Sequence, residues 1–171
     1  MRSQPFNNPQ LYVVKAQELP LSGPALLELM RAVLARGVPF RFCARGWSMA
    51  PFIRDGDVIT VSPLRDNLPG VGDVVAFVRP EGGNLVVHRV VARDTAAVFI
   101  QGDNGKGYVD GTVPREYLLG RVTCVERAGQ AVWLGMGPER YIIAWLSTAS
   151  LLNPLLSWLA SWLRPFSRRW G

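Results

Sequence analysis

The stretch that decides the reading is Arg45-Gly46-Trp47-Ser48-Met49-Ala50-Pro51-Phe52-Ile53-Arg54-Asp55-Gly56-Asp57, followed by Val58-Ile59-Thr60-Val61. Gly46 permits a sharp backbone turn, and Pro51 fixes its own φ and stops a helix from running back through it. Ser48 therefore stands in a stiff, non-helical corner. The four residues after Asp57 are β-branched throughout and predict a strand. A hydroxyl held at the mouth of a strand suits a nucleophile, provided a base reaches it.

Working outward, the segment from Pro39 to about Val132 reads as short strands separated by turns. The predicted strands are 40–44, 58–61, 73–78, 85–92, 97–101 and 120–126. Asp55-Gly56, Gly70-Val71-Gly72, Pro80-Glu81-Gly82-Gly83 and Gly102-Asp103-Asn104-Gly105 separate them. Residues 77–85 predict a hairpin with Gly82-Gly83 near its tip. The fold class is mainly β, an all-β barrel or sandwich-like body. Upstream, Ser22-Gly23-Pro24 is a helix-start signal. Leu26, Leu27, Met30, Val33 and Leu34 recur at helical spacing, and Gly37 is placed to end the helix. Leu11-Tyr12-Val13-Val14 predicts a further short strand.

The tail changes character, for no charged side chain occurs from Tyr141 to Leu163. As one helix it would measure roughly 35 Å, enough for a bilayer. Trp145, Trp158 and Trp162 suit a lipid–water boundary. Asn153-Pro154 interrupts the run, and Ser157, Ser161, Arg164 and Arg168 share one helical face opposite Leu155, Leu156, Leu159, Trp162 and Leu163. Three readings stay open: an in-plane or re-entrant anchor, a true span, or helices packed on the β body. The expected organisation is a lead-in and amphipathic helix over 1–38, a β catalytic domain over 39–134, and an apolar, membrane-associating tail over 135–171.

Composition narrows the function classes. The 171 residues are 49% hydrophobic and 19% charged, too apolar for a disordered chain. The net charge of +6 suits an anionic partner, but the arginines are scattered and no nucleic-acid-binding signature occurs. Nucleic acid is therefore not expected as a partner. Cys43 and Cys124, two distant thiols, predict neither a metal site nor a disulfide framework. No metal or other cofactor is expected. Residues 1–9 are polar and lack the apolar core of a secretory signal peptide.

Ser48 needs a base. Lys15 lies ahead of the β body, and Lys106 sits between glycines in a turn where nothing would lower its pKa. His88 is the single histidine, polar in the apolar strand Leu85-Val86-Val87-His88-Arg89-Val90-Val91. An imidazole titrates near 6.5 and serves as a base at neutral pH. Alternation puts Val86, His88 and Val90 on one face and Val87, Arg89 and Val91 on the other. The alternative is a hydrogen-bonded structural histidine. A carboxylate behind the imidazole would orient it, and the 102–111 loop offers Asp103 and Asp110. Both also suit turn chemistry; Asp103, between Gly102 and Asn104, suits it better, which makes Asp110 the first choice.

These residues resemble a family. Gly46-Trp47-Ser48-Met49-Ala50-Pro51 resembles the Ser-Met-x-Pro box of type I signal peptidases and their relatives. Gly72-Asp73-Val74-Val75-Ala76-Phe77, His88-Arg89-Val90-Val91 and Gly102-Asp103-Asn104 are similar, in order, to the Gly-Asp-x-Val, His-Arg-Val and Gly-Asp-Asn boxes. Together they cover about residues 40–126. The histidine form is similar to the ER and archaeal type. The resemblance implies a coiled antiparallel β body of the signal-peptidase/LexA kind. It implies a serine endopeptidase with Ser48 as nucleophile, His88 as base, Asp110 as orienting carboxylate and Asp103 in support. The oxyanion hole would rest on backbone N–H groups, because Gly46 stands where many relatives carry a serine. Gly46, Met49 and Pro51 would border the substrate groove, with Met49 and Phe52 as its apolar wall. The expected partners are a precursor protein with its leader peptide and, through the tail, a membrane surface, with the bacterial inner membrane as the expected location. A LexA-like self-processing regulator and a non-catalytic peptide-binding β domain are the competing readings.

Overall fold

The computed structural model describes residues 23–64, 68–105, 110–149 and 154–155. The expected strand at 11–14, both lysines and the tail beyond residue 149, apart from Pro154 and Leu155, lie outside the described residues.

Among the described residues, one helix, α1 (Gly23–Ala35), precedes eight strands, and a second, α2 (Arg140–Thr148), follows them. The strands are β1 (Phe40–Cys43), β2 (Val58–Pro63), β3 (Val74–Val78), β4 (Leu85–Arg93), β5 (Ala97–Gln101), β6 (Gly111–Pro114), β7 (Leu118–Arg127) and β8 (Gln130–Ala131). A 3₁₀ turn at Arg115–Tyr117 joins β6 to β7. All pair antiparallel in one sheet of order β1-β2-β7-β3-β4-β5-β6, with β8 paired to β7. The described residues are thus mainly antiparallel β, with the two helices α1 and α2. The last long strand is inserted between β2 and β3, so the two halves of the sheet are closed together late in the chain.

Two apolar clusters explain the strand patterns. One joins Met30 and Leu34 of α1 to Met49, Ile53, Ile59, Val61, Val74, Ala76, Val122 and Val125. The other gathers Val75, Phe77, Val90, Val98, Ile100, Val113 and Leu118. Strand β3, Val-Val-Ala-Phe-Val, feeds both and is buried along its whole length, which is why it reads as a continuous apolar run and not an alternating one. In β7 the buried positions are Leu118, Gly120 and Val122, then Val125. The change of phase follows from a bulge, because Thr60 faces Cys124 while Val61 faces Val122, which leaves Thr123 unpaired.

Helix α1 presents Met30 and Leu34 to the first cluster and ends at Gly37, whose φ of +75° suits a residue without a side chain. The expected boundary at 38/39 is therefore a change of secondary structure within one core. The hairpin tip at Gly82-Gly83 forms as expected, closed by Arg79 N–H to Asn84 O (2.9 Å) and Gly83 N–H to Arg79 O (3.1 Å). Helix α2 buries Ile143, Ala144 and Ser147 and leaves Tyr141, Ile142 and Trp145 exposed. Ile143 and Leu146 pack against Phe52, and the Ser147 carbonyl accepts from Gln101 Nε2 at 3.0 Å. The start of the segment expected as a membrane tail thus packs on the β body through one face. No helix among the described residues is long and apolar enough to cross a membrane.

Candidate active site

The Ser48 corner is built by its own carboxylates. Asp55 Oδ1 accepts the Gly46 N–H at 2.8 Å. Asp57 Oδ2 accepts the Arg54 N–H at 2.8 Å, and its carboxylate takes a two-pronged contact from Arg127 at 2.9 and 2.7 Å. Burial pushes the Asp57 carboxyl up, but Arg127 and the Arg54 N–H outweigh it and hold the group below the ordinary carboxylate range. The Asp57 carbonyl accepts from Ala44, which joins the end of the corner to the end of β1. Between these ties the chain makes a tight turn, with Ala50 N–H to Trp47 O and Phe52 and Ile53 N–H to Met49 O. Ser48 and Trp47 are exposed on this turn. Met49 and Phe52, expected to wall an open groove, are core residues instead, 4% and 6% exposed. Met49 joins the α1 cluster, and Phe52 lies beneath the turn against Ile143. Burial of these two large apolar side chains anchors the turn. Pro51 is half-buried.

His88 sits in mid-β4 opposite Val75, with its ring edge-on to Phe77 at 6.2 Å between centroids. It is 6% exposed. Gly102, the first residue after β5, links it to the serine corner. A Cβ added at Gly102 would lie 2.7 Å from the Ser48 carbonyl oxygen and 3.2 Å from His88 Nε2. The serine backbone and the imidazole Nε2 thus border one spot, kept open by the missing side chain. The Asn104 N–H donates to the Ser48 carbonyl at 2.8 Å and fastens the corner to this loop.

Asp110 approaches from the other side. Strand β6 pairs Gly111 with Ile100, and the Asp110 N–H donates to Ile100 O at 2.8 Å. Its Oδ2 accepts the Gly102 N–H at 2.6 Å and lies 3.0 Å from His88 Nδ1. That last approach is not aligned as a hydrogen bond, so Nδ1 is buried beside a carboxylate without a well-directed partner. Burial pushes the His88 pKa below its ordinary value; the Asp110 charge pulls it up, Arg79 adds to the depression, and the net direction is down. The imidazole is therefore neutral at pH 7 and able to accept a proton.

Asp103 is placed elsewhere. Its fully buried carboxylate receives Arg89 Nε at 2.8 Å and Nη2 at 2.7 Å, a two-pronged ion pair. Burial pushes the Asp103 carboxyl up, against the pull of Arg89. Arg89 follows His88 and points to the opposite face of β4, as strand alternation requires. Its Nη1 donates to the carbonyls of Gly72 and Gly135, both at 2.9 Å, and its guanidinium lies 5.6 Å from the Phe52 ring centre. The loop bearing Gly102 and Asn104 is thus held from below by Arg89 and touches Ser48 and His88 from above.

Gly102, Asn104, Arg89, Asp55, Asp57 and Arg127 also shape the site, though the sequence assigned them no role in it. Gly102, Asn104 and Arg89 carried a signal, as members of the Gly-Asp-Asn and His-Arg-Val boxes; Asp55, Asp57 and Arg127 carried none for the site. The structure brings Ser48, His88 and Asp110 around Gly102 and directs Asp103 to Arg89. Compared with known proteins, the chain matches no protein-family model and no curated protein.

Proposed function

We propose that the chain is a serine endopeptidase of the signal-peptidase kind, with Ser48 as nucleophile, His88 as general base and Asp110 as the group that orients the imidazole. The observation that carries the reading is the junction at Gly102, where the Ser48 carbonyl, His88 Nε2 and Asp110 Oδ2 all approach one residue. The exposure of Ser48 and the depressed pKa of His88 support the same roles. In this reading His88 Nε2 takes the hydroxyl proton as Ser48 Oγ attacks the scissile carbonyl, and the proton passes to the leaving amine. The acyl-serine is then hydrolysed by water that gives its proton to the same nitrogen. A small rotation of Asp110 aligns its carboxylate with Nδ1–H and favours the imidazolium formed at each step. The Ser48 N–H serves the oxyanion. Asp103 acts through Arg89 as a positioning group. The coiled β body of the signal-peptidase/LexA kind belongs to the same proposal.

The substrate class is a precursor protein with an N-terminal leader, presented at a membrane. Trp133 (81% exposed), Trp145 and Trp47 (64% each), with Ile142 and Leu134, give the body apolar groups suited to a lipid boundary. The test is co-expression of candidate precursors with wild type and with Ser48→Ala, followed by mass spectrometry of the new N-termini. A serine-directed phosphonate labels Ser48 in wild type and not in Ser48→Ala. Failure to label the folded wild-type protein would favour a peptide-binding domain without catalysis. Cleavage of the purified chain by itself would favour a self-processing regulator.

A further inference from the structure

A cavity of about 370 Å³ lies between the first turn of α2 and the β3–β7 pair. It is bordered by Gly72, Asp73, Arg121, Thr123, Met136 and Arg140, and includes none of Ser48, His88 and Asp110. Its size falls within the roughly 300–1,000 Å³ of small-ligand sites.

Its charges are unevenly matched. Asp73 is buried, and its Oδ2 accepts the Gly70 N–H at 2.9 Å. Two guanidiniums share that one carboxylate, Arg121 Nη1 at 3.4 Å from Oδ2 and Arg140 Nη1 at 3.3 Å from Oδ1. Both contacts are longer than the 2.7 and 2.8 Å of the Arg89–Asp103 pair. They leave donor capacity on both arginines, because each guanidinium carries five N–H groups. Arg140 Nη2 reaches its neighbour Tyr141 at 3.1 Å, while its Nε is buried with no partner among the described residues. A buried donor of this kind ordinarily finds an acceptor. The arginine is also seated deliberately: a Cβ on Gly72, whose φ is +90°, would stand 2.9 Å from Arg140 Cγ and 3.1 Å from its carbonyl. Val74, Val122 and Met136 supply an apolar wall beside the charges.

We propose that this cavity binds a small oxyanion, a phosphate or carboxylate on a compact organic group, clamped by Arg121 and Arg140 across Asp73. The paired oxygens of such a group match the fork geometry of the two guanidiniums, and Glu139, the other carboxylate beside Arg140, is occupied by the Gly135 and Gly137 N–H groups. The site is separate from the serine corner but shares backbone with it. The carbonyls of Gly72 and Gly135, both residues of the cavity wall, are the acceptors of Arg89 Nη1, whose opposite edge holds Asp103.

Isothermal titration of the full chain with inorganic phosphate, and separately with acetate, tests this. Saturable one-site binding of at least one of them is expected. Arg140→Gln and, independently, the half-exposed Arg121→Gln each weaken it at least tenfold, while Ser48→Ala binds as wild type. Far-UV circular dichroism checks that each variant is folded. Displacement of bound phosphate by vesicles of phosphatidylglycerol, and not of phosphatidylcholine, would identify the oxyanion as a lipid headgroup; no displacement would identify a free solute. Absence of saturable binding by the folded wild type, or binding unchanged in both arginine variants, overturns the proposal. Retention in Ser48→Ala separates the outcome from that of the peptidase reading.

Discussion

Gly102→Ala is the most informative single change to this molecule. The added methyl would lie 2.7 Å from the Ser48 carbonyl oxygen and 3.2 Å from His88 Nε2. Ordinary carbon–oxygen contact needs more than 3 Å, so the serine corner, the imidazole or both must retreat by about half an ångström. The alanine keeps the N–H that Asp110 accepts, so the carboxylate's anchor survives the change. Misplacing reacting groups by about 1 Å can cost about 100-fold in rate, and half that displacement is expected to cost roughly ten- to a hundredfold. The assay is the second-order rate of Ser48 labelling by a serine-directed phosphonate, beside the melting temperature. Gly23→Ala is the control, because nothing lies within 4 Å of its added methyl. If Gly102→Ala labelled at the wild-type rate with an unchanged melting temperature, the junction would not be where the hydroxyl is activated.

Five further outcomes are expected. Labelling should rise with pH through a value below 6.5 and level off by pH 7, since burial depresses the His88 pKa and only the neutral ring accepts a proton; a midpoint near 9 would point to a lysine base. The same shift has a sign for stability: the unfolded chain binds the proton more readily, so His88 lowers stability as pH falls from about 6.5 through its folded pKa, and His88→Gln should remove that part of the acid dependence in urea titrations. Asp103→Ala should lower unfolding free energy by about 3–5 kcal/mol in urea, because it strands a fully buried Arg89. Asp110→Asn keeps an acceptor for the Gly102 N–H but loses the charge beside Nδ1, so labelling should fall by about 100-fold or more while the melting temperature moves little. Replacing Trp133 and Trp145 by alanine should reduce flotation with anionic vesicles without altering circular dichroism; unchanged flotation would exclude these side chains as the membrane contact.

The sequence was most legible where one local force decides. Strand β5 begins and ends where its Ala-Val-Phe-Ile-Gln run predicts, and the Gly82-Gly83 tip follows from turn chemistry alone. Strand β6 was not legible: Gly111-Thr112-Val113-Pro114 has weak strand preference and is held by its pairing to β5. That pairing is also what carries Asp110 back to Gly102, so the third carboxylate could not be chosen firmly from spacing. Alternation separates His88 from Arg89 correctly, but nothing local says that Arg89 meets Asp103 beneath the loop. Met49 and Phe52 looked like groove residues because they flank the serine; their burial depends on α1 and α2, elements distant in sequence. In the same way, the charge-free run from Tyr141 concealed which face of α2 meets Phe52 and the Gln101 side chain.

Arg89 joins the carbonyls of Gly72 and Gly135 to Asp103 through a single buried side chain. During translation, a nascent polypeptide ending shortly before Gly135 already contains Ser48, His88 and Asp110, yet its guanidinium lacks one of these ties. Full reactivity would then arrive only once Gly135 has emerged, so a shorter nascent chain would be silent. A ladder of stalled ribosome complexes, each exposed to the phosphonate, would show reactivity appearing once the exposed length passes residue 135, and not soon after residue 110.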